Sequence, residues 1–283
     1  MRFFKSIVIF LFCCFFLGCN MNQHKKAFLN KITSFLEVDY NILENDTLVV
    51  FDVDDVLTVP NATTGMYGEY KNKWGEIINE YKRKSPDFSK NLEYYLSILY
   101  SQQEEIILDP SIYKVLHSLK LKNIPTIACS SWKTGKFGII ENMAEHRYKV
   151  LKDLNIMFDW SYYNIKLNLL VDGTDKKPAF SKGVICTDGA NKGGVLLAFF
   201  NQIKYKPKNL IFFDDSLKNM NDVKNMCEKN NINFIGYHYI KSIPSNWNEK
   251  LVRFKIENLI KHNIWYKNDE IALFHFKKNK NHN

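Results

Sequence analysis

Thr47-Leu48-Val49-Val50-Phe51-Asp52-Val53-Asp54-Asp55-Val56-Leu57 runs five β-prone residues into three carboxylates within four positions. An apolar run of that length, closed by acids, reads as a buried strand, and open α/β sheets bind their ligands just beyond the carboxyl ends of such strands. In extended backbone, residues two apart share a side, so Asp52 and Asp54 converge on one point while Asp55 faces elsewhere. Two convergent carboxylates repel unless a cation lies between them. Mg²⁺ is the simplest one, because it prefers hard oxygen ligands and commonly takes one or two carboxylates together with phosphate oxygens and water. Alone, D-x-D is more simply an Asp-rich turn capping the next segment. Partners elsewhere in the chain decide between the two readings.

The chain has 283 residues, enough to bury one substantial core and to carry a cap or insertion on a single α/β domain. Its formal charge of +9 comes from lysines scattered through every segment, with no basic run interleaved with aromatics. That pattern is surface composition rather than a nucleic-acid footprint, and no nucleic-acid partner is expected. A positive field still attracts anionic substrates.

The first eighteen residues read as a signal peptide: Arg2 and Lys5, an apolar run from Ile7 to Leu17, then Gly18-Cys19. The run is short for a bilayer span of roughly 20 residues. Phe16-Leu17-Gly18-Cys19 resembles a bacterial lipoprotein signal, with Phe16 where Leu is usual. The resemblance implies lipidation at Cys19 and an exported protein anchored to the membrane through lipid, on the periplasmic side or at the cell surface. Only Cys129, Cys186 and Cys227 then remain in the mature body, widely spaced and odd in number, which argues against a disulfide framework or a CxxC metal site.

Residues 19–44 are expected to form the lipid tether and an N-terminal helix, with Phe28, Ile32, Phe35 and Leu36 at helical spacing. The core is expected over 45–240, with insertions at about 60–108 and 135–188. The first is mainly helical, since Trp74, Ile77, Ile78 and Tyr81, then Leu92, Tyr95, Leu96 and Leu99, recur at helical intervals. Its aromatics Tyr67, Tyr70 and Trp74 are candidates for core or for substrate contact. Asp109-Pro110 marks a helix start. Further along, a strand at 126–129, a helix at about 192–204, a strand at 209–213, a helix at about 217–229 and a strand at 233–237 alternate in the manner of a parallel sheet covered by helices on both faces. Residues 241–283 read as a C-terminal helical extension ending in a disordered Lys/Asn tail.

Three later sites stand where the opening pair would need them. Leu210-Ile-Phe-Phe-Asp214-Asp215-Ser216 is a second apolar run ending in acids. It brings Asp214, with Asp215 beside it, to Asp52 and Asp54 if the two strands are neighbours, and is otherwise an N-cap for the helix that follows. In Gly189-Ala-Asn-Lys192-Gly193-Gly194, Lys192 opens a helix, where the helix dipole disfavours a cation, so its placement favours a job involving anions. The surrounding glycines permit close approach of backbone to a ligand. Ser130-Ser131 closes the strand at 126–129 with a hydroxyl able to donate to a phosphoryl oxygen.

In this order, Asp52-Val-Asp54, Ser130, Lys192 and Asp214-Asp215 resemble the haloacid dehalogenase superfamily over residues 45 to 240. The resemblance implies a Rossmann-like parallel sheet and a Mg²⁺-dependent phosphatase centre. Asp52 would be the nucleophile phosphorylated in turnover and Asp54 the general acid and base. Ser130, chosen over Ser131, and Lys192 would bind the phosphoryl oxygens. The metal would be held by Asp52, the carbonyl of Asp54 and Asp214, with Asp215 either outside that set or paired with Lys192. The substrate implied is a small-molecule phosphate ester. The exported form is similar to the bacterial lipoprotein acid phosphatases, but Val56 departs from their acidic-Thr sequence. A phosphotransferase or mutase, and a non-catalytic surface lipoprotein using the fold as a binding scaffold, are the competing readings.

Overall fold

The computed structural model describes residues 28–62, 71–158, 175–241 and 247–280. Its strands are β1 (Phe28–Ile32), β2 (Thr47–Phe51), β3 (Thr58–Pro60), β4 (Glu105–Ile107), β5 (Thr126–Ser130), β6 (Ala179–Ser181), β7 (Val184–Cys186), β8 (Asn209–Asp214) and β9 (Asn233–Tyr239). Its helices are α1 (Lys71–Lys84), α2 (Pro86–Lys90), α3 (Leu92–Gln102), α4 (Ile112–Leu121), α5 (Met143–Asp153), α6 (Lys192–Ile203), α7 (Leu217–Lys229), α8 (Glu249–His262) and α9 (Asp269–Lys280). The signal segment, Cys19, Tyr67 and Tyr70 lie outside the described residues.

Seven strands form one sheet in the order β1-β9-β8-β2-β5-β7-β6, parallel throughout except for the β6–β7 hairpin at its edge. The expected α/β architecture, a parallel sheet with helices on both faces, is the observed one. β2 sits in the middle and is buried on both faces, which is why its sequence is a continuous apolar run rather than an alternating one. Alternate residues still serve different cores. Val49, Phe51, Ala128, Ile211 and Phe213 pack with Ile112, Val115 and Leu119 of α4 and with Leu151 of α5. Leu48, Val50, Ile127, Leu210 and Phe212 pack on the other face with Val195 and Phe199 of α6 and with Met220 and Val223 of α7.

The first insertion leaves the core through the antiparallel β3–β4 ribbon and carries α1, α2 and α3. These helices share a third core with α8 and the connection after it: Trp74, Ile77, Phe88, Tyr95, Ile98 and Leu99 pack with Val252, Ile256 and Leu259 of α8 and with Trp265. The C-terminal segment is therefore part of the layer built by the insertion. Trp74 is core, meeting Trp265 edge-on at 5.7 Å between ring centres.

Two expectations are corrected. Residues 28–32 form an edge strand, parallel to β9 from Phe28↔Ile235 to Ile32↔Tyr239, and Phe35–Glu37 is a short 3-10 turn, so there is no N-terminal helix over this stretch. The backbone finds its hydrogen bonds on the exposed edge of β9. The Lys/Asn tail from Lys277, expected to be disordered, is helical as far as Lys280: it continues α9, in which Ala272 is buried, Phe276 packs on Phe254 at 5.2 Å, and Asp269 pairs with the buried Lys255 at 3.0 Å. Among the described residues no helix is long and apolar enough to cross a membrane.

Asp109 fastens the N-terminal segment to the sheet. Its carboxylate accepts from Ser34 Oγ (2.9 Å), Phe35 N (3.3 Å), Ser111 N (3.1 Å) and Tyr239 Oη (3.2 Å). Burial raises its pKa, but these donors, those of Ser111 and Ser34 foremost, outweigh that and bring it from 3.8 down to about 2. A carboxyl with a depressed folded pKa stabilises the fold above its unfolded pKa and loses that contribution as pH falls through the folded one. Asp109→Asn is therefore expected to cost roughly 2 kcal/mol at pH 7. Urea unfolding of both proteins from pH 7 to pH 2 checks this: the gap closes between about pH 4 and pH 2, and a pH-independent gap would refute it.

Candidate active site

The register of three parallel strands assembles the site. Phe51 is level with Phe213 of β8 and Ala128 of β5, so Asp52 and Asp214 emerge side by side and Ser130 lies level with the residue before Asp54. Asp52 N donates to the Phe213 carbonyl at 2.8 Å, continuing the ladder one step past the strand. The chain then turns sharply: Leu57 N and Thr58 N both donate to Val53 O, and Asp55 takes a left-handed conformation (φ 61°), which Asp tolerates better than most residues. After this turn Asp55 pairs with Lys71, which also lies near Asp215.

Lys192 is the first residue of α6 and is fully buried. Its ammonium lies 2.7 Å from Asp52 Oδ1 and 2.7 Å from Asp214 Oδ2. Burial pulls its pKa down, but the two carboxylates outweigh burial and raise it, so the side chain stays charged. Asp52 is pushed well above the carboxylate range by burial and by Asp214, against the pull of Lys192. Asp214 is held from its other side by Ser216 N at 2.8 Å and by Asn219 Nδ2 at 3.1 and 3.2 Å. Asp215 sits at the rim with a pKa raised to about 6, chiefly by burial and then by Asp55 and Asp214, with Lys71 opposing. Its cation is Lys71 of the insertion, 3.7 Å away and also paired with Asp55; Lys192 pairs with Asp52 and Asp214 instead.

Asp54 is turned from that cluster and keeps a partly open side chain. Its Oδ2 accepts from Ser130 Oγ at 3.2 Å and its Oδ1 from Arg147 at 2.5 Å. Ser130 is buried and Ser131 exposed, so the hydroxyl at the site is that of Ser130. Of the glycines after residue 188, Gly193 serves packing rather than a ligand: a Cβ there would lie 2.3 Å from the Asp222 carbonyl oxygen of α7.

The structure thus gathers Asp52, Asp54, Ser130, Lys192, Asp214 and Asp215 at one end of the sheet. Sequence reasoning missed Arg147, Lys71 and Asn219. For Arg147 a signal existed: it stands between Met143 and Leu151 at four-residue spacing on the buried stripe of α5, a charge where an apolar residue is expected.

Asp52, Asp214 and Asp215 each place one carboxylate oxygen within 4.8 Å of the others. Three hard oxygen donors suit Mg²⁺; burial first, and then the neighbouring carboxylates, raise the pKa of Asp52 and Asp215, and a divalent ion between them would favour their charged forms. The donor set fits the Mg²⁺ expected from the sequence.

The family model described as protein of unknown function (DUF2608) matches residues 27–272. Uncharacterized proteins of Rickettsia bellii (28% identity over 220 residues, 75% of each chain) and Rickettsia prowazekii (20% over 239 residues, 82% of this chain and 85% of that one) are similar along most of their length. Among solved structures, a haloacid dehalogenase-like family hydrolase of Streptococcus pneumoniae is similar at 14% identity and a TM-score of 0.39, covering 69% of this chain and 95% of that chain. The HAD domain of the Legionella pneumophila effector Lem4, an inactive mutant, is similar at 14% identity and a TM-score of 0.36, covering 81% and 97%.

Proposed function

We propose that this chain, which belongs to the family described as protein of unknown function (DUF2608), hydrolyses small-molecule phosphate monoesters through a phosphorylated Asp52. The observation that carries the reading is the buried Lys192 bridging Asp52 and Asp214 at 2.7 Å each, with Asp54 two residues on and facing the open side. A binding scaffold has no need of two buried carboxylates and a buried ammonium at a helix start; a nucleophile that must meet a dianion does.

In the first step a carboxylate oxygen of Asp52 attacks phosphorus, the bond from phosphorus to the ester oxygen breaks, and the proton of the Asp54 carboxyl passes to that oxygen to release the alcohol. In the second, water attacks phosphorus, Asp54 takes its proton, and the bond to Asp52 breaks to give inorganic phosphate and the free carboxylate. Lys192 holds Asp52 in place and offsets charge on the phosphoryl oxygens, where phosphoryl transfer gains most from fixed positive charge. Ser130 donates to Asp54 and would donate to the same oxygens when the ester is bound. Asp52, Asp214 and Asp215, with the carbonyl of Asp54, would hold Mg²⁺, which when bound supplies positive charge between nucleophile and ester.

The test is hydrolysis of 4-nitrophenyl phosphate by residues 27–283. Phosphate release is expected with Mg²⁺ and is expected to fall at least about 100-fold with a chelator, returning when Mg²⁺ is restored. Folded protein that is inactive with Mg²⁺ across aryl, sugar and nucleoside phosphates would overturn the reading in favour of a non-catalytic scaffold.

A further inference from the structure

We propose that Arg147 is a positioning residue for Asp54, acting on leaving-group protonation without touching the ester; this rests on the hydrolase reading above. Its guanidinium is fully buried and its bonded nitrogen is spent on Asp54 and Thr58, whereas the Asp54 side chain it holds is 42% exposed. One nitrogen, Nη2, lies 2.5 Å from Asp54 Oδ1 and 3.2 Å from Thr58 Oγ1. The other carboxylate oxygen, Oδ2, accepts from Ser130 Oγ. Each oxygen of Asp54 therefore has one protein donor, and the two together fix the rotation of the carboxyl group.

Trp132 ties the two donors together. Its ring lies 4.4 Å from the Arg147 guanidinium carbon, and its backbone N–H donates to Ser130 Oγ at 3.3 Å. The remaining guanidinium nitrogens, Nε and Nη1, are buried and have no hydrogen-bond partner among the described residues. A buried Arg that served the fold alone would be expected to spend its donors on backbone carbonyls, as buried polar groups nearly always do. Here the nitrogen that is satisfied is the one facing Asp54 and the turn beside it. Burying a guanidinium with two idle donors is costly, and the ion pair with Asp54, together with the nearby Glu105 carboxylate and the Trp132 ring, offsets the cost.

A general acid is effective only when its proton lies along the line to the departing oxygen, and small misplacements cost large factors. The requirement depends on the ester. An alkoxide leaves only with a proton, whereas 2,4-dinitrophenolate leaves without one. The ratio of kcat/KM for propyl phosphate to kcat/KM for 2,4-dinitrophenyl phosphate therefore isolates the function of Asp54 in the first chemical step, and the ratio does not change when part of the protein is unfolded.

Arg147→Met in the Mg²⁺-loaded protein is expected to lower that ratio by about 10-fold to 100-fold, within the range general acids contribute. Arg147→Lys, which keeps the charge on a different shape, is expected to fall between wild type and Met. In an Asp54→Asn background, Arg147→Met is expected to leave the ratio unchanged, because its effect runs through the missing carboxyl. An equal loss on both esters, or a ratio that still moves in the Asp54→Asn background, would overturn the role of Arg147 while leaving the hydrolase reading intact. A wild-type protein inactive on both esters overturns the hydrolase reading itself, and this inference with it.

Discussion

Asp52→Asn is expected to fold as well as the wild type and to lose ester hydrolysis by at least about 10⁴-fold, the scale on which removing a covalent nucleophile acts. The amide of Asn is nearly isosteric with the carboxylate but cannot form the phosphorylated intermediate. Its effect on stability has the opposite sign. Asp52 is buried beside Asp214, and its pKa is pushed up by burial and by that neighbour. A carboxyl with a raised folded pKa favours the fold in its protonated form, and its deprotonation weakens the fold as pH rises. The uncharged Asn escapes that penalty. Thermal melts at pH 7 without metal should place Asp52→Asn at or above the wild type, as is common where a site is strained for function. With Mg²⁺ the order is expected to reverse, because the wild type gains more from a cation than a variant lacking one of its three carboxylates. Residual activity above a few per cent in purified Asp52→Asn, free of contaminating phosphatase, would mean that the nucleophile is another group.

How much of this site could be read from the chain depended on whether each residue carried a local signal. Asp52 and Asp214 follow unbroken apolar runs, and a run buried on both faces of a parallel sheet has few other readings. Lys192 alone reads as a solvated loop lysine of a lysine-rich chain; a cation at a helix start becomes informative only beside the acid-ended strands, and the 2.7 Å contacts to two carboxylates supply the reason. Lys71 had no such mark: it is one of 39 Lys and Arg residues, and its partners Asp55 and Asp215 are set by the packing of the insertion on the core.

The elements misread are those stabilised at a distance. Phe28, Ile32, Phe35 and Leu36 satisfy a helical period, but residues 28–32 pair with β9 some 200 positions downstream, and no local pattern announces such a partner. Asp109, between them in sequence, then locks the turn that follows. The tail from Lys277 has a Lys/Asn-rich composition that argues for disorder, but as far as Lys280 it continues a helix seated on α8 through the Asp269–Lys255 ion pair and the Phe276–Phe254 contact. In both places tertiary structure overrides a weak local preference.

The second large effect is expected at Lys192. Lys192→Met keeps the length of the side chain and removes its charge, leaving Asp52 and Asp214 buried together without the ammonium between them. Breaking a buried ion pair from one side costs about 3–5 kcal/mol, because the abandoned charge remains desolvated. Here two carboxylates are abandoned, although Asp214 keeps its bonds from Ser216 N and Asn219 Nδ2. Urea unfolding at pH 7 should show the full loss, and the pH dependence should identify its cause. Buried carboxyls that have lost their cation have folded pKa values above the unfolded ones, so the folded state binds more protons and stability falls as pH rises. The deficit of Lys192→Met is therefore expected to be smallest near pH 4 and largest at neutral pH. Mg²⁺ should recover part of it, since a divalent ion at Asp52, Asp214 and Asp215 replaces some of the missing positive charge. Hydrolysis should not return with stability, because the metal does not supply the charge that Lys192 places on the phosphoryl oxygens; a residual rate of about 1% or less is expected when stability has been restored by metal. A variant as stable as the wild type at pH 7, or one whose deficit grows toward acid, would show that Lys192 does not hold the two carboxylates together.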